Sequence, residues 1–237
     1  MLYPPLVLGI LVKRYKRFFV DVKLNDNSIV TAHCANTGSM LGCLESGATV
    51  GLSRAHNPNR KLKYTLEIIK INTVWVGVNT SLTNRLAEEF LKESGIPEIG
   101  QILEMKREVK YGIQSRIDLL LTTETKKVYV EIKNVSMVFD GKASFPDAVT
   151  ARGVKHLQEL IQVVQEGNRG VMLFICQRED AQCFEPAFSI DPLYAKTLLL
   201  AANAGVEIFV YKSKVSVKEN KVFSKIPFQI SSIGNIK

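Results

Sequence analysis

Val128-Tyr129-Val130-Glu131-Ile132-Lys133-Asn134-Val135 is the stretch on which the fold turns. It is apolar enough for a central strand, yet residues two apart on a strand share a face, so Glu131 and Lys133 point to a side otherwise built for burial. Charges placed there need partners. The nearest is Asp118, which interrupts the apolar run 117–121 and is separated from the quoted strand by a polar turn, 122–127, so that the two segments read as a hairpin. Two carboxylates and an ammonium at one end of a sheet form a hard, oxygen-rich site for a divalent cation, Mg2+ first and Mn2+ as its substitute. The lysine is then left to act on a nucleophilic water or on developing phosphate charge. The same three charges also read as a structural salt-bridge network, and the Glu-x-Lys spacing alone does not choose between the two.

Working outward, the pattern changes from period two to helical spacing at 79–81, with Leu82, Leu86, Phe90 and Leu91 on one side and Gly95 just past the end; this helix carries Glu88 and Glu89. Strands are expected over 102–111, 116–121 and 128–135. Pro146-Asp147 then opens a second helix, with Asp147 as its N-cap, a stripe of Val149, Leu157, Leu160, Ile161 and Val164, and Arg152, Lys155 and His156 on or near one side. A buried strand over 170–176, a helix over 192–203 stopped by Gly205 and a strand over 206–211 complete residues 81–237. Helices that return the chain to apolar strands imply an α/β domain whose mixed central sheet is covered on both faces.

Residues 1–80 read instead as an all-β part, with short strands over 18–24, 29–34, 49–52, 64–71 and 74–78, the size and strand number of an oligonucleotide-binding (OB) barrel. The formal net charge of +8 is concentrated there, since these residues hold ten Lys or Arg against four acids. Lys13, Arg14, Tyr15, Lys16, Arg17, Phe18 and Phe19 alternate cations with rings, as a strand that offsets phosphate charge and stacks on bases would. An edge strand kept soluble by its lysines gives the same pattern. Arg54, Arg60, Lys61 and Lys63, in a loop with Ser53, Asn57, Pro58 and Asn59, tilt the balance toward nucleic acid.

The 237 residues, 46% hydrophobic and 23% charged, are those of a folded globular chain and exclude a disordered or collagen-like one. No apolar run approaches the roughly 20 residues that span a bilayer, so no membrane partner is expected. The apolar start at 2–12 contains Pro4 and Pro5 and is followed, not preceded, by positive charge, the reverse of a secretory signal, which places the protein in the cytoplasm. Four scattered cysteines match neither a disulfide framework nor zinc spacing. Without a phosphate-cradling glycine loop or a dinucleotide fingerprint, an enzyme of small sugar metabolites finds no support. A homo-oligomer is compatible with all of this.

The order helix, strand, Asp strand, Glu-x-Lys strand, helix, strand resembles the PD-(D/E)XK nuclease superfamily, with Ile117 standing where the proline of that name would be. Longer motifs resemble the sugar fermentation stimulation protein A (SfsA) family. They include Arg14-Tyr15-Lys16-Arg17-Phe18, His33-Cys34-x-Asn36-Thr37-Gly38-x-Met40, Asn84-Arg85-Leu86, Glu108-Val109-Lys110-Tyr111-Gly112, Ser115-Arg116-Ile117-Asp118, and Phe145-Pro146-Asp147-Ala148-Val149-Thr150-x-Arg152-Gly153-x-Lys155-His156-Leu157. The resemblance implies an OB-like domain followed by a restriction-endonuclease-like domain, in a DNA-binding protein with a proposed role in regulating sugar metabolism. Carried over by position, it implies Asp118, Glu131, the Ile132 carbonyl and Glu89 as metal ligands and Lys133 as the catalytic lysine. Lys13, Arg14, Tyr15, Lys16, Arg17, Arg116, Arg152 and Lys155 are the candidate contacts to DNA, single- or double-stranded, with Arg116 equally placed to pair with Glu131. A Mg2+-dependent phosphodiesterase and a non-catalytic regulator with a vestigial nuclease site both follow from it.

Overall fold

The computed structural model describes residues 1–57, 59–111 and 115–229; Pro58 of the basic loop and Gly112 of the Tyr111-Gly112 motif lie outside them. Strands β1 (Val7–Tyr15), β2 (Phe19–Leu24), β3 (Ile29–His33), β4 (Thr49–Arg54) and β5 (Tyr64–Ile71) pair in the order β3-β2-β1-β4-β5, and a parallel β3–β5 bridge at Ala32↔Tyr64 and His33↔Thr65 closes them into a five-stranded OB barrel. A sixth strand, β6 (Val74–Gly77), extends β5 as a hairpin. Leu11, Val20, Val22, Ala32, Val50, Leu52, Leu66 and Ile69 fill the interior.

The basic segment is not one continuous strand. β1 runs from the apolar start straight into it, with Leu8, Ile10 and Val12 exposed on the outside, so the period-two signal was hidden by apolar residues on both faces. The strand ends at Tyr15, and Lys16 and Arg17 both take left-handed backbone conformations (φ 47° and 62°) that close a hairpin with Tyr15 opposite Phe19. Lys16, Arg17 and Phe18 therefore form an exposed tip.

Asn79 accepts a hydrogen bond from Ser81 N and starts a short 3-10 turn that leads into α1 (Thr83–Glu93). The second sheet has the order β15-β14-β12-β9-β8-β7, built from β7 (Glu104–Tyr111), β8 (Ser115–Thr122), β9 (Lys127–Val135), β12 (Arg169–Cys176), β14 (Glu207–Val215) and β15 (Asn220–Lys225). β9, β12 and β14 are mutually parallel and the other pairs antiparallel, which is the mixed sheet that the alternation of helices and strands requires. α1 buries Leu86, Phe90 and Leu91 against one face, each contributing roughly 1.5–3 kcal/mol. α2 (Ala151–Gln165) and α3 (Pro192–Asn203) cover the other. A small sheet of β10 (Val138–Phe139), β11 (Lys142–Phe145) and β13 (Cys183–Pro186) lies beside it; these strands, like β15, are too short or too polar to show in the pattern. Among the described residues no helix is long and apolar enough to cross a membrane.

Asp147 is not the cap of α2. Thr150 is, accepting from Gly153 N, and Asp147 instead reaches the barrel, where its Oδ2 accepts the Met40 N–H at 2.7 Å and its carbonyl accepts the Ser39 hydroxyl. The carboxylate lies so close that a Cβ at Gly38 would meet its Oδ1 at 2.4 Å. Arg14 braces the same loop by donating to the carbonyls of Asn36, Gly38 and Ser39. Gly38→Ala and Asp147→Ala should each destabilise the protein by about 1–3 kcal/mol, because both break the same charge-assisted hydrogen bond. In urea denaturation the double variant should cost clearly less than the two single losses added together.

Candidate functional site

The contacts of Asp147 with Ser39 and Met40 bound a cleft of about 740 Å3 between the barrel and the α/β domain. Arg14, Arg17 and Asn36 face it from the barrel; Asn84, Asp118, Glu131, Lys133, Arg152 and His156 face it from the other side.

Its floor is made where two strands part. The β8–β9 pairs run from Thr122↔Lys127 to Leu119↔Val130 and stop there. In the gap Asp118 replaces the missing ladder partner, its Oδ2 accepting the Ile132 N–H at 2.7 Å and its Oδ1 accepting from Asn84 Nδ2 at 2.8 Å. The N–H and C=O of one strand residue point to the same neighbour, so the Ile132 carbonyl turns toward Asp118 as well.

Glu131 is 2% exposed, and its two oxygens are unequal. Oε1 takes the Lys133 ammonium at 2.6 Å and the His156 ring Nδ1, while Oε2 is buried without a partner. Burial alone would raise this carboxyl, but His156 and Lys133 outweigh it and hold Glu131 below the usual range. Asp118 goes the other way. Its burial, reinforced by the Glu131 charge, pushes it above the ordinary aspartate value despite the donors from Ile132 and Asn84 and the nearby Lys133.

Of the expected site residues, Asp118, Glu131, Ile132 and Lys133 come together, with Arg17 and Arg152 on the walls. Glu89 does not join them. It is paired with the Met1 amine at 2.9 Å and Arg85 at 3.0 Å, and Glu88 is paired with Lys92 and Arg107. The reason is position along α1: its first turn faces the cleft, so Asn84 arrives at Asp118, while Glu88 lies one turn further on and Glu89 is turned off that face as well. Among the described residues no group of three or more His, Cys, Asp or Glu side chains is gathered as a metal cluster. Arg116 is exposed and does not pair with Glu131, whose partners are Lys133 and His156. Lys155 projects outside the cleft toward Glu159, 3.7 Å away.

Arg14 reaches the cleft with its guanidinium already committed to the loop carbonyls. Lys13 and Tyr15 lie on the outer face of the barrel with Phe19, where the rings of Tyr15 and Phe19 stack at 5.5 Å and Lys13 and the Tyr15 hydroxyl meet Asp21. Two participants were not legible as such, Asn84 and the contact of His156 with Glu131. Their only signal is position, one in the first turn of the helix before the Asp strand, the other one turn after Arg152.

Family models match in two blocks: one described as the SfsA N-terminal OB domain over residues 12–78, and one described as the sugar fermentation stimulation protein RE domain over 81–219. A sugar fermentation stimulation protein homolog of Pelobacter propionicus is 48% identical over 227 residues, 96% of this chain and 99% of that protein. One from Maricaulis maris is 51% identical over 213 residues, 89% of this chain and 91% of that protein. The solved structure of Pyrococcus furiosus SfsA in complex with Ca2+ superposes with a TM-score of 0.87 at 26% identity, covering 97% of this chain and 98% of that one.

A carboxyl with a raised folded-state value supports the fold only while protonated, so its contribution is complete at acid pH and is lost as pH climbs through the raised value. Asp118→Asn removes the cost of the buried charge, and Asn84 can turn its amide over to keep the hydrogen bond. In chelator at neutral pH this variant should melt about 2–4 °C above the parent, the shift for about 1 kcal/mol in a chain of this size, and the gap should close toward acid pH. Scanning calorimetry across that range measures it.

Proposed function

The chain belongs to the sugar fermentation stimulation protein family, and from that premise we propose that it binds nucleic acid, DNA foremost, and hydrolyses a phosphodiester in the interdomain cleft with the help of Mg2+ or Mn2+. The observation that carries this is the buried, unpartnered Oε2 of Glu131, on a cleft-lining carboxylate near enough to Asp118 for its charge to raise that residue. A buried anionic oxygen without a donor is costly unless a cation completes it. Asp118, Glu131 and the Ile132 carbonyl are three hard oxygen donors, a set that suits Mg2+, which keeps much of its water shell. The Ca2+ complex of the archaeal relative supports the same reading. Such a cation, when bound, supplies Lewis-acid polarisation of a phosphoryl oxygen.

The chain's own residues account for the rest. Lys133 is held at the rim by Glu131 and presents its ammonium to charge that develops on the phosphoryl group. Arg17 and Arg152, exposed on opposite walls, pair with flanking phosphates. In an OB barrel the ligand runs over strands 2 and 3 and the loops beside them. Here Phe19 stands on β2 beside Tyr15 and Lys13 of the paired β1, the β1–β2 tip holds Lys16 and exposed Phe18, and the β4–β5 loop holds Arg60. The tip joins that face to the cleft, a route for a strand whose bases stack and whose phosphates meet arginine. A DNA partner also agrees with a cytoplasmic location.

A non-catalytic regulator remains the second reading, favoured by one observation: α1 offers Asn84 where a further carboxylate ligand would be, and Oε1 of Glu131 is already saturated. Purified protein incubated with single- and double-stranded DNA and RNA, in Mg2+, Mn2+ or chelator, separates the two. Metal-dependent cleavage that falls at least about 100-fold in Asp118→Ala and Lys133→Ala supports the phosphodiesterase. Cleavage unchanged in both variants refutes the site, and none under any condition favours the regulator. Binding should weaken steeply between about 50 and 200 mM salt, and Arg17→Ala should lower the slope of log affinity against log salt by about 1.

A further inference from the structure

His156 is one of three histidines in the chain and is 4% exposed, on the first turns of α2. Both ring nitrogens are engaged. Nδ1 meets Oε1 of Glu131, Nε2 meets Arg152 Nε at 3.3 Å, and the Lys133 ammonium, 3.4 Å from Nδ1, gives its hydrogen to the same Oε1 at the shorter distance of 2.6 Å. A guanidinium only donates, so Nε2 must present its lone pair; an ionised carboxylate only accepts, so Nδ1 must carry the hydrogen. The two constraints agree on one species, the neutral imidazole with its proton on Nδ1.

From this geometry we propose that His156 is the positioning residue of the metal centre: its Nδ1–H, together with Lys133, fastens Glu131 by Oε1 and thereby leaves the buried, unpartnered Oε2 as the oxygen free for the cation. Arg152 holds the Nε2 lone pair from the cleft wall. The inference rests on the cation reading above and adds to it a chain from a substrate-facing arginine, through a buried imidazole, to a ligand oxygen. Without the histidine, Glu131 loses one of the two donors on Oε1 and is free to turn its carboxylate, and the ligand is no longer pre-set. Outer partners of this kind commonly change metal affinity 10–100-fold.

The test is Mn2+ titration of the metal-free full-length protein by calorimetry, without nucleic acid, on the parent and on His156→Ala, His156→Asn and His156→Gln. His156→Ala should bind Mn2+ about 10–100-fold more weakly. His156→Asn, whose amide nitrogen falls near the Nδ1 position, should restore most of the affinity, and His156→Gln, whose amide falls near Nε2, should not. If the alanine variant fails to fold, the asparagine and glutamine pair decides alone. In parallel, long-range 1H–15N spectra of the parent should show His156 protonated on Nδ1. A parent that binds no Mn2+ refutes the cation reading and this inference with it. A parent that binds while the alanine variant binds equally well, or glutamine rescue equal to asparagine, or an Nε2–H signal in the parent, overturns the role of His156 and leaves the cation reading standing.

Discussion

The cleft depends on where one hydrogen-bond ladder stops. Had β8 and β9 paired one step further, the Ile132 N–H would be spent on backbone and both strands would close over the place where two carboxylates now meet. Asp118 ends the ladder by supplying the acceptor itself, so the backbone stays satisfied while the sheet is opened. This substitution sets two acids side by side in a buried place, and the electrostatics follow: Glu131, with cationic and N–H donors on one oxygen, stays ionised easily, and Asp118, beside that charge, does so reluctantly. A site poised in this way holds unrelieved electrostatic cost.

A second constraint keeps the barrel in register with that opening. The loop after β3 is braced from one side by Arg14 and from the other by Asp147, and both are residues that a reading by charge alone assigns elsewhere, one to phosphate and one to a helix cap. Beneath it runs a buried polar spine. Gln177 donates to Thr83 and Asn134, accepts from Asn220, and gives its carbonyl to Gly77 N. A Cβ at Gly77 would meet the Gln177 amide oxygen at 2.3 Å, so only glycine lets β6 approach this closely. Thr83 and Asn134 adjoin Asn84 and Lys133 in sequence. The network that joins the domains therefore also fixes the first turn of α1 and the end of β9, the two pieces that carry the site.

Strands and helices with a strong period were readable, and so was the pair of charges that a buried strand cannot carry without a reason. What the sequence concealed has three physical causes. β1 has apolar side chains on both faces, which removes its alternation. Asp147 obeys local capping rules, yet a tertiary acceptor role for it outcompetes the cap because Thr150 can serve α2 just as well. Glu89 was favoured for its closeness to the buried side of α1, but nearness to a core says nothing of which turn of the helix faces a cleft. That depends on the angle at which α1 crosses the sheet, a property of packing that no local pattern encodes.

Arginine in this cleft shows why composition alone could not assign roles. Arg14, Arg17 and Arg152 all line it, but their hydrogen bonds divide them. Arg14 has donated to four carbonyls and acts as part of the scaffold; Arg152 spends one N–H on His156 and keeps the others for the cleft; Arg17, held out on a left-handed turn, lends its carbonyl to Arg14 Nε. A guanidinium offers five donors in a fixed plane, so the number already used by the protein decides how much is left for a phosphate. On that count the donors left free toward the cleft are chiefly those of Arg17 and Arg152, one from each domain.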